Sequence, residues 1–230
     1  MSNRAPSNIL DRPLGGRGRG NSNTTETFVS QSMFAYLYSE LVQYHQSRVA
    51  SISELERRLE SSGYGVGLKV LELLSYRARE SKRETRLMNI LQFVSANVWK
   101  SLFGKPADSL ERSIDHADEF MIVDYEPLTS TYVSVPSDLG QLSVDAFLSG
   151  IIAGVLDGAG FSARVTAHSV TLEDGERGSA SGGGGGGSNN GGFAHQHTGG
   201  ASSLPLRKDK AVFLVKFNPE VLKRDSSLDR

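Results

Sequence analysis

The sequence predicts an α+β protein: about four helices first, then an antiparallel strand hairpin, a further helix and two more strands. Apolar residues recur every three or four positions through about residues 30–103, which is the period of a helix buried on one side. From about residue 119 onward, β-branched and aromatic residues form short runs that end at proline or glycine. Helices followed by strands are typical of the α+β class.

The first predicted helix begins after Ser30, whose hydroxyl can cap a free backbone amide while Val29 and Phe34 occupy hydrophobic-staple positions. Its main apolar stripe consists of Phe34, Leu37, Leu41 and Tyr44. Tyr38 and Val42 widen this stripe beyond a single side of the helix. We therefore expect more apolar surface than one inward side can bury, and this excess is typical of a protein-docking surface.

A second helix follows, with Leu55 and Leu59 on one side. We expect it to end at Gly63 and Gly65, because glycine is unfavourable inside a helix. A third helix is predicted over about residues 66–79, with an inward side made of Val66, Val70, Leu73 and Leu74.

The fourth predicted helix, at about residues 84–99, has a strong pattern. Its inward side consists of Leu87, Ile90, Leu91, Val94 and Val98. Gly104 and Pro106 break the helix, and we expect residues 106–112 to form a short helical turn.

The first two strands are predicted at about residues 119–125 and 130–135, and their close spacing favours an antiparallel hairpin. A helix capped by Ser143 then covers about residues 144–157. Its buried residues are expected to be Leu148, Ile151, Ile152 and Val155. Gly150 and Gly154 have the spacing that allows close approach of a neighbour, which we expect to be the sheet.

The last two strands are predicted at residues 163–170 and 211–217, on either side of an insert at about residues 173–209. The insert holds 12 of the chain's 25 glycines and cannot build a packed core, so we predict a disordered loop. The sequence therefore predicts three regions: a flexible N-terminal tail over 1–27, a single domain over 28–225 interrupted by the insert, and a C-terminal tail over 226–230.

Composition narrows the class of protein. With 25 basic and 26 acidic side chains the net charge is near zero, and no overall field favours nucleic acid. The chain has no cysteine, which excludes disulfides, thiolate metal sites and cysteine nucleophiles. No apolar stretch approaches the roughly 20 residues that cross a bilayer, and the N-terminus lacks the apolar core of a signal peptide. We expect a cytoplasmic protein that touches membranes from outside.

The residues that could carry chemistry do not form a recognisable site. His195 and His197 lie in the glycine-rich insert, where no third metal ligand is held in place. Asp115, Asp118 and Glu119 precede the first strand, but no nucleophile or electrophile lies near them in sequence. We therefore predict no catalytic, cofactor-binding or metal-ligating residue.

One basic cluster stands out between the third and fourth predicted helices. It consists of Arg77, Arg79, Lys82, Arg83 and Arg86. Two interpretations stay open: a solvated loop between helices, or a contact with acidic lipid headgroups worth about 1 kcal/mol per basic residue.

Four helical segments and one later signature resemble a known family, the small core subunits of TRAPP, the transport protein particle of the early secretory pathway. The segments are residues 39–49, 51–59, 83–87 and 98–104. The signature consists of Gly150, Gly154, Gly160, Phe161, Ala163 and Val165. The resemblance covers about residues 9–14 and 33–217, apart from the insert and short loops. It implies a layer of about four helices packed on a small four-stranded antiparallel sheet, the TRAPP small-subunit fold.

The resemblance also implies a function. It implies a non-catalytic building block of a complex that activates an early-secretory Rab GTPase by nucleotide exchange and tethers vesicles between endoplasmic reticulum and Golgi. The implied partners are the acylated small subunit of the subunit 3 type and a sedlin-like longin subunit. The implied location is the cytoplasmic side of endoplasmic reticulum and cis-Golgi membranes. The lipid of the acylated relative cannot be carried over, since this chain has no cysteine.

We expect the partner-binding surface on the first two helices. Its predicted residues are Phe34, Leu37, Leu41, Tyr44, Leu55 and Leu59. The alternative function is a stand-alone module that binds a small hydrophobic ligand, because distant relatives of this fold bind such ligands. That function would require a pocket lined by Phe93, Trp99 and Phe103, residues that could equally pack in the core.

Overall fold

The computed structural model describes residues 29–78, 83–116, 118–135, 139, 141–171 and 209–228. The tail predicted over residues 1–27 and the insert predicted at 173–209, except Asp209, lie outside the described residues. The described elements are, in chain order, helix α1 Gln31–Gln46, α2 Ile52–Arg77, α3 Leu87–Gln92, a π-helical segment Phe93–Val98, α4 Trp99–Phe103, strand β1 Ser109–Arg112, β2 Glu119–Asp124, α5 Leu128–Thr131, α6 Ala146–Gly158, β3 Ala163–Thr171, β4 Asp209–Phe217 and α7 Pro219–Ser227.

The four strands form one antiparallel sheet in the order β1, β2, β4, β3, and helices pack against it, which confirms the predicted α+β class. The strands predicted at residues 163–170 and 211–217 are both confirmed as β3 and β4. Alternate residues of β4 are buried, because one side of the sheet is covered. These residues are Ala211, Phe213, Val215 and Phe217. β3 is left at one edge of the sheet.

The main core lies between the sheet and the helices α3, α4 and α6. The inward side predicted for the fourth helix is confirmed, since its five residues are at most 3% exposed: Leu87, Ile90, Leu91, Val94 and Val98. The buried residues predicted on α6 are at most 2% exposed: Leu148, Ile151, Ile152 and Val155. A smaller core lies under α1 and consists of Tyr38, Val42, Leu55, Leu59, Val144 and Ala146.

The predicted end of the second helix at Gly63 and Gly65 is wrong. α2 runs without interruption from Ile52 to Arg77 and includes both glycines. The reason is tertiary: a Cβ atom on Gly63 would lie 2.0 Å from the carbonyl oxygen of Phe147 on α6. Close packing of the two helices at Gly63 therefore offsets the roughly 1 kcal/mol that this glycine costs inside a helix.

The glycines of α6 make the reciprocal contact. A Cβ on Gly150 would lie 2.0 Å from the carbonyl oxygen of Glu60, and one on Gly154 would lie 2.3 Å from that of Tyr64. The predicted close approach at these two glycines is confirmed. The predicted neighbour, the sheet, is wrong, because the neighbour is α2. α6 lies between α2 on one side and the sheet on the other.

The predicted hairpin is wrong in its second strand. Residues 130–135 form no strand, and Leu128–Thr131 forms the short helix α5. Hydroxyl groups override the strand propensity of this segment: Thr129 Oγ1 donates to Asp145 Oδ1 at 2.6 Å, and Thr131 Oγ1 donates to the backbone oxygen of Pro127 at 2.8 Å. β2 pairs instead with β1, in residues 109–112 that we expected to form a helical turn.

Two predicted helix caps are wrong. Ser30 precedes α1, but its hydroxyl makes no capping hydrogen bond, and Val29 is 71% exposed. α6 begins at Ala146 rather than directly after Ser143. The backbone N–H of Ser143 is used elsewhere and donates to Glu56 Oε1 at 2.8 Å.

Helix α7, which is not among the predicted elements, holds the start of α3 in place. Asp225 Oδ1 accepts a hydrogen bond from the backbone N–H of Leu87 at 2.9 Å and caps α3. α7 continues to Ser227, past the domain boundary predicted at residue 225. None of the described helices combines the length and the hydropathy that a membrane span requires.

Candidate functional site

The outer side of α1 carries a row of exposed apolar residues. Its members are more than half exposed: Met33, Tyr36, Leu37 and Tyr44. The opposite side of the helix is anchored by Tyr38 and Val42, which are 3% and 6% exposed. The Tyr38 hydroxyl donates to the backbone oxygen of Val144 at 2.5 Å, and burial together with Asp145 raises the Tyr38 pKa far above its usual value. α1 is therefore held in a fixed rotation, with its apolar row facing out.

The structure divides the predicted interface residues into three groups. Leu37 and Tyr44 are exposed, and Phe34 and Leu41 are half-buried against the smaller core. Leu55 and Leu59 are 2% and 0% exposed, so their assignment to a docking surface is wrong. Both leucines pack under α1, in the smaller core with Tyr38 and Val42.

A second exposed row lies on the later half of α2. It contains Val66, Leu73 and Tyr76, which share one side of the helix at steps of seven and three residues. The predicted inward orientation of Val66 and Leu73 is wrong. The glycines could have shown the correct side, because Gly63, Gly67, Val70 and Leu74 recur at helical spacing and face the core.

A contact between α1 and α2 links the two exposed rows where α1 ends. His45 Nε2 lies 3.1 Å from Ser62 Oγ, and Val66 follows Ser62 by one helical turn. Tyr44, the last member of the α1 row, is next to His45 in the sequence. The Arg48 guanidinium lies over the Tyr44 ring, with its Cζ atom 3.7 Å from the ring centroid. The two rows together form what we call the apolar docking surface: Met33, Tyr36, Leu37, Tyr44, Val66, Leu73 and Tyr76.

His45 should make stability depend on pH. Its Nδ1 atom is buried without a hydrogen-bond partner among the described residues, and desolvation, Arg58 and Arg48 lower its pKa below the usual value. Because the folded-state pKa is lower than that of the unfolded chain, stability is full above the unfolded pKa near 6.5 and falls as the pH drops below it.

Substituting glutamine for His45 should therefore flatten the pH dependence of unfolding between about pH 7.5 and pH 5.5. The measurement is urea unfolding at both pH values, followed by circular dichroism. The matched control is His168→Gln, which replaces a histidine that lies near the edge of the sheet. Equal slopes for wild type and His45→Gln would contradict the expected role of His45.

The structure describes only part of the predicted basic cluster. Arg77 and Arg83 are exposed, whereas Arg79 and Lys82 lie outside the described residues. Arg86 has a structural role: its guanidinium donates to the backbone oxygens of Asp225 at 3.3 Å and Leu228 at 2.8 Å. Arg86 therefore ties α7 to the start of α3.

The acidic residues before β2 are engaged with a lysine. Lys216 Nζ lies 2.8 Å from Glu119 Oε1 and 3.6 Å from Asp118 Oδ2, and this pairing raises the Lys216 pKa. His116 has a ligand atom within 4.8 Å of these carboxylates, and both carboxylates are paired with the Lys216 ammonium. Asp115 is exposed and stands apart from this group, and His195 and His197 lie outside the described residues.

The three aromatic residues of the alternative ligand pocket pack in or against the core. Trp99 is 0% exposed, and its indole Nε1 donates to Asp124 Oδ2 at 2.9 Å. Its ring contacts Phe103 and Phe213, each at a centroid distance of 5.5 Å. Phe93 also packs against this core. These contacts favour core packing of the aromatic residues over a ligand pocket.

Comparisons with known proteins agree with this architecture. The family model described as "Transport protein particle (TRAPP) component" matches residues 34–181. Trafficking protein particle complex subunit 5 of Dictyostelium discoideum is 42% identical over 223 residues, 97% of this chain and 99% of the relative. The human protein of that name is 49% identical over 142 residues, 62% of this chain and 76% of the relative.

A solved structure shows the same fold. It is that of trafficking protein particle complex subunit 3 from Naegleria fowleri, covalently bound to palmitic acid. It matches with a TM-score of 0.58 at 16% identity and covers 82% of this chain and 95% of its own. At that identity the match supports the fold alone. The family model and the long subunit 5 alignment show that this chain belongs to the TRAPP component family.

Proposed function

We propose that this chain is a non-catalytic core subunit of a TRAPP complex and that it pairs with a second TRAPP small subunit through the apolar docking surface. The observation that carries the proposal is the α1 row, in which Met33, Tyr36 and Leu37 are each at least 68% exposed. Contiguous apolar side chains on one helix mark an interface more often than a free surface.

The relatives support the kind of partner. Proteins similar over most of this chain are named as subunits of a trafficking protein particle complex. The partner that fits best is a subunit of the subunit 3 type, because it presents the same helix-on-sheet fold and could place its helical layer against α1 and α2. A sedlin-like longin subunit is the proposed second neighbour.

The complex gives the subunit its role in the cell. We infer that the chain serves as a scaffold for an assembly that exchanges nucleotide on a Rab GTPase and tethers vesicles between endoplasmic reticulum and Golgi. The location that follows is the cytoplasmic side of those membranes, with Arg77 and Arg83 available to acidic headgroups. No catalytic step is assigned to a residue of this chain.

Affinity purification of the tagged full-length chain from its own cells tests the proposal. The expected result is one-to-one recovery of a TRAPP small subunit, with further TRAPP subunits at equal or lower amounts. Mass spectrometry would identify the subunits, and size-exclusion chromatography with light scattering would measure their stoichiometry. Recovery of a monomer without TRAPP subunits would overturn the proposal.

A further inference from the structure

A polar groove of about 720 Å³ lies between the first half of α2 and the outer edge of β3. It is separate from the apolar docking surface, because its α2 residues lie outside the two apolar rows. Its main lining residues are Glu56, Arg57, Glu60, Ser143, Arg164 and Ala167. A groove bounded by a helix on one side and a strand edge on the other has the shape that accepts an extended chain.

The strand side of the groove offers unpaired backbone groups. β3 is the last strand of the sheet, and no described strand pairs with its outer edge. The N–H of Asn218 donates to the oxygen of Ser162, so Ser162 and every second residue after it bond toward β4. The peptide groups of Val165, Ala167 and Ser169 therefore point outward, where another strand can bond to them.

The helix side of the groove carries two carboxylates. Glu56 and Glu60 are one turn apart and half-buried. Glu56 accepts the N–H of Ser143, whereas no described residue donates a hydrogen bond to Glu60. Burial and the charge of Glu56 raise the Glu60 pKa, and the charge of Arg164, which lines the same groove, opposes them. A half-buried carboxylate without a donor is a favourable position for a cationic side chain.

A strand added to β3 would present its side chains to these carboxylates. Val165 is 6% exposed and faces the helices, so odd-numbered residues of β3 point toward the α2 side. Every second side chain of an added strand would lie on that same side. We propose that the groove binds an extended peptide segment of a partner protein, which pairs with the outer edge of β3 and places a lysine or arginine against Glu60.

Two variants separate backbone pairing from charge recognition. Ala167→Pro removes an outward N–H that β4 does not use, and proline is tolerated at a sheet edge. Glu60→Lys reverses the charge at the proposed contact. The matched control is Glu72→Lys, which makes the same charge change on an exposed position of α2 outside the groove.

The probe is a library of random nine-residue peptides displayed on phage and selected against the full-length chain. The peptides enriched are expected to share one lysine or arginine among β-branched residues. A synthetic fluorescent copy of the enriched peptide should lose at least tenfold in affinity, by anisotropy, on Ala167→Pro and on Glu60→Lys, but not on Glu72→Lys. The Glu60→Lys variant should bind a peptide whose basic residue is changed to glutamate more tightly than it binds the enriched peptide itself.

Circular dichroism and melting temperature confirm that each variant is folded before binding is compared. Absence of enriched peptides, or equal affinity for wild type and both groove variants, would overturn the inference. The inference does not depend on the proposed function, since both groove variants should still pair with the TRAPP partner.

Discussion

Substituting alanine for Gly150 should lower the free energy of unfolding by about 2 kcal/mol and the melting temperature by roughly 4–8 °C. The added methyl group would lie 2.0 Å from the carbonyl oxygen of Glu60, closer than any real contact, and the atoms in its way are backbone. Backbone cannot rotate aside as a side chain can, so the two helices must separate. That separation would open gaps among the closely packed residues on both sides.

A control exists in the same pair of helices. Gly65 also lies inside α2, but a Cβ atom there would meet nothing within 4 Å. Gly65→Ala should therefore stabilise the protein by up to about 1 kcal/mol, through helix propensity alone. The two variants make the same chemical change with opposite expected signs. Urea unfolding followed by circular dichroism measures both, and equal effects would contradict a tight contact between α2 and α6.

The double substitution of aspartate for Leu37 and Tyr44 should weaken pairing with the TRAPP partner by at least about 30-fold, since the loss of one buried interface anchor alone costs about 2 kcal/mol or more. Leu37 is 70% exposed and Tyr44 is 54% exposed, so the fold should tolerate both changes. Arg48 holds Tyr44 in place by lying over its ring and donating to its backbone oxygen at 2.8 Å. A side chain held before binding loses less entropy on binding.

The matched control is Ile114→Asp, which places the same charge on a fully exposed apolar residue between β1 and β2. It should leave pairing unchanged. Co-expression with the partner, followed by pull-down and titration calorimetry, measures the effect. Undiminished pairing of the double variant, with its melting temperature intact, would remove α1 from the interface.

The parts of the fold predicted correctly depend on short-range periodicity. The row from Leu87 to Val98 is confirmed as buried, although the backbone turns π-helical at Phe93. β3 and β4 are confirmed as well, and in β4 the alternation of buried and less buried residues that identifies a strand is local. Periodicity reports which side of an element is apolar, and here it gave the correct side without knowledge of the neighbour.

The errors occur where a distant residue decides the outcome. Gly63 looked like the end of a helix, but α6 crosses α2 there and uses the missing side chain. Residues 130–135 have the composition of a strand, yet the segment begins in the short helix α5, where the Thr129 hydroxyl donates to Asp145, just before α6. Leu55 and Leu59 looked available to a partner, but α1 covers them. In each case the competing interaction comes from a residue outside the segment whose pattern was used for the prediction.

Patterns within single segments are enough to predict the class of fold, the buried sides of the fourth helix and α6, and the resemblance to the TRAPP small subunits. Only the tertiary structure decided which apolar residues stay exposed, since that depends on the rotation and crossing of α1, α2 and α6. The same holds for the outer edge of β3: the order of the described strands, and not the strand sequence, leaves that edge without a strand partner among the described residues.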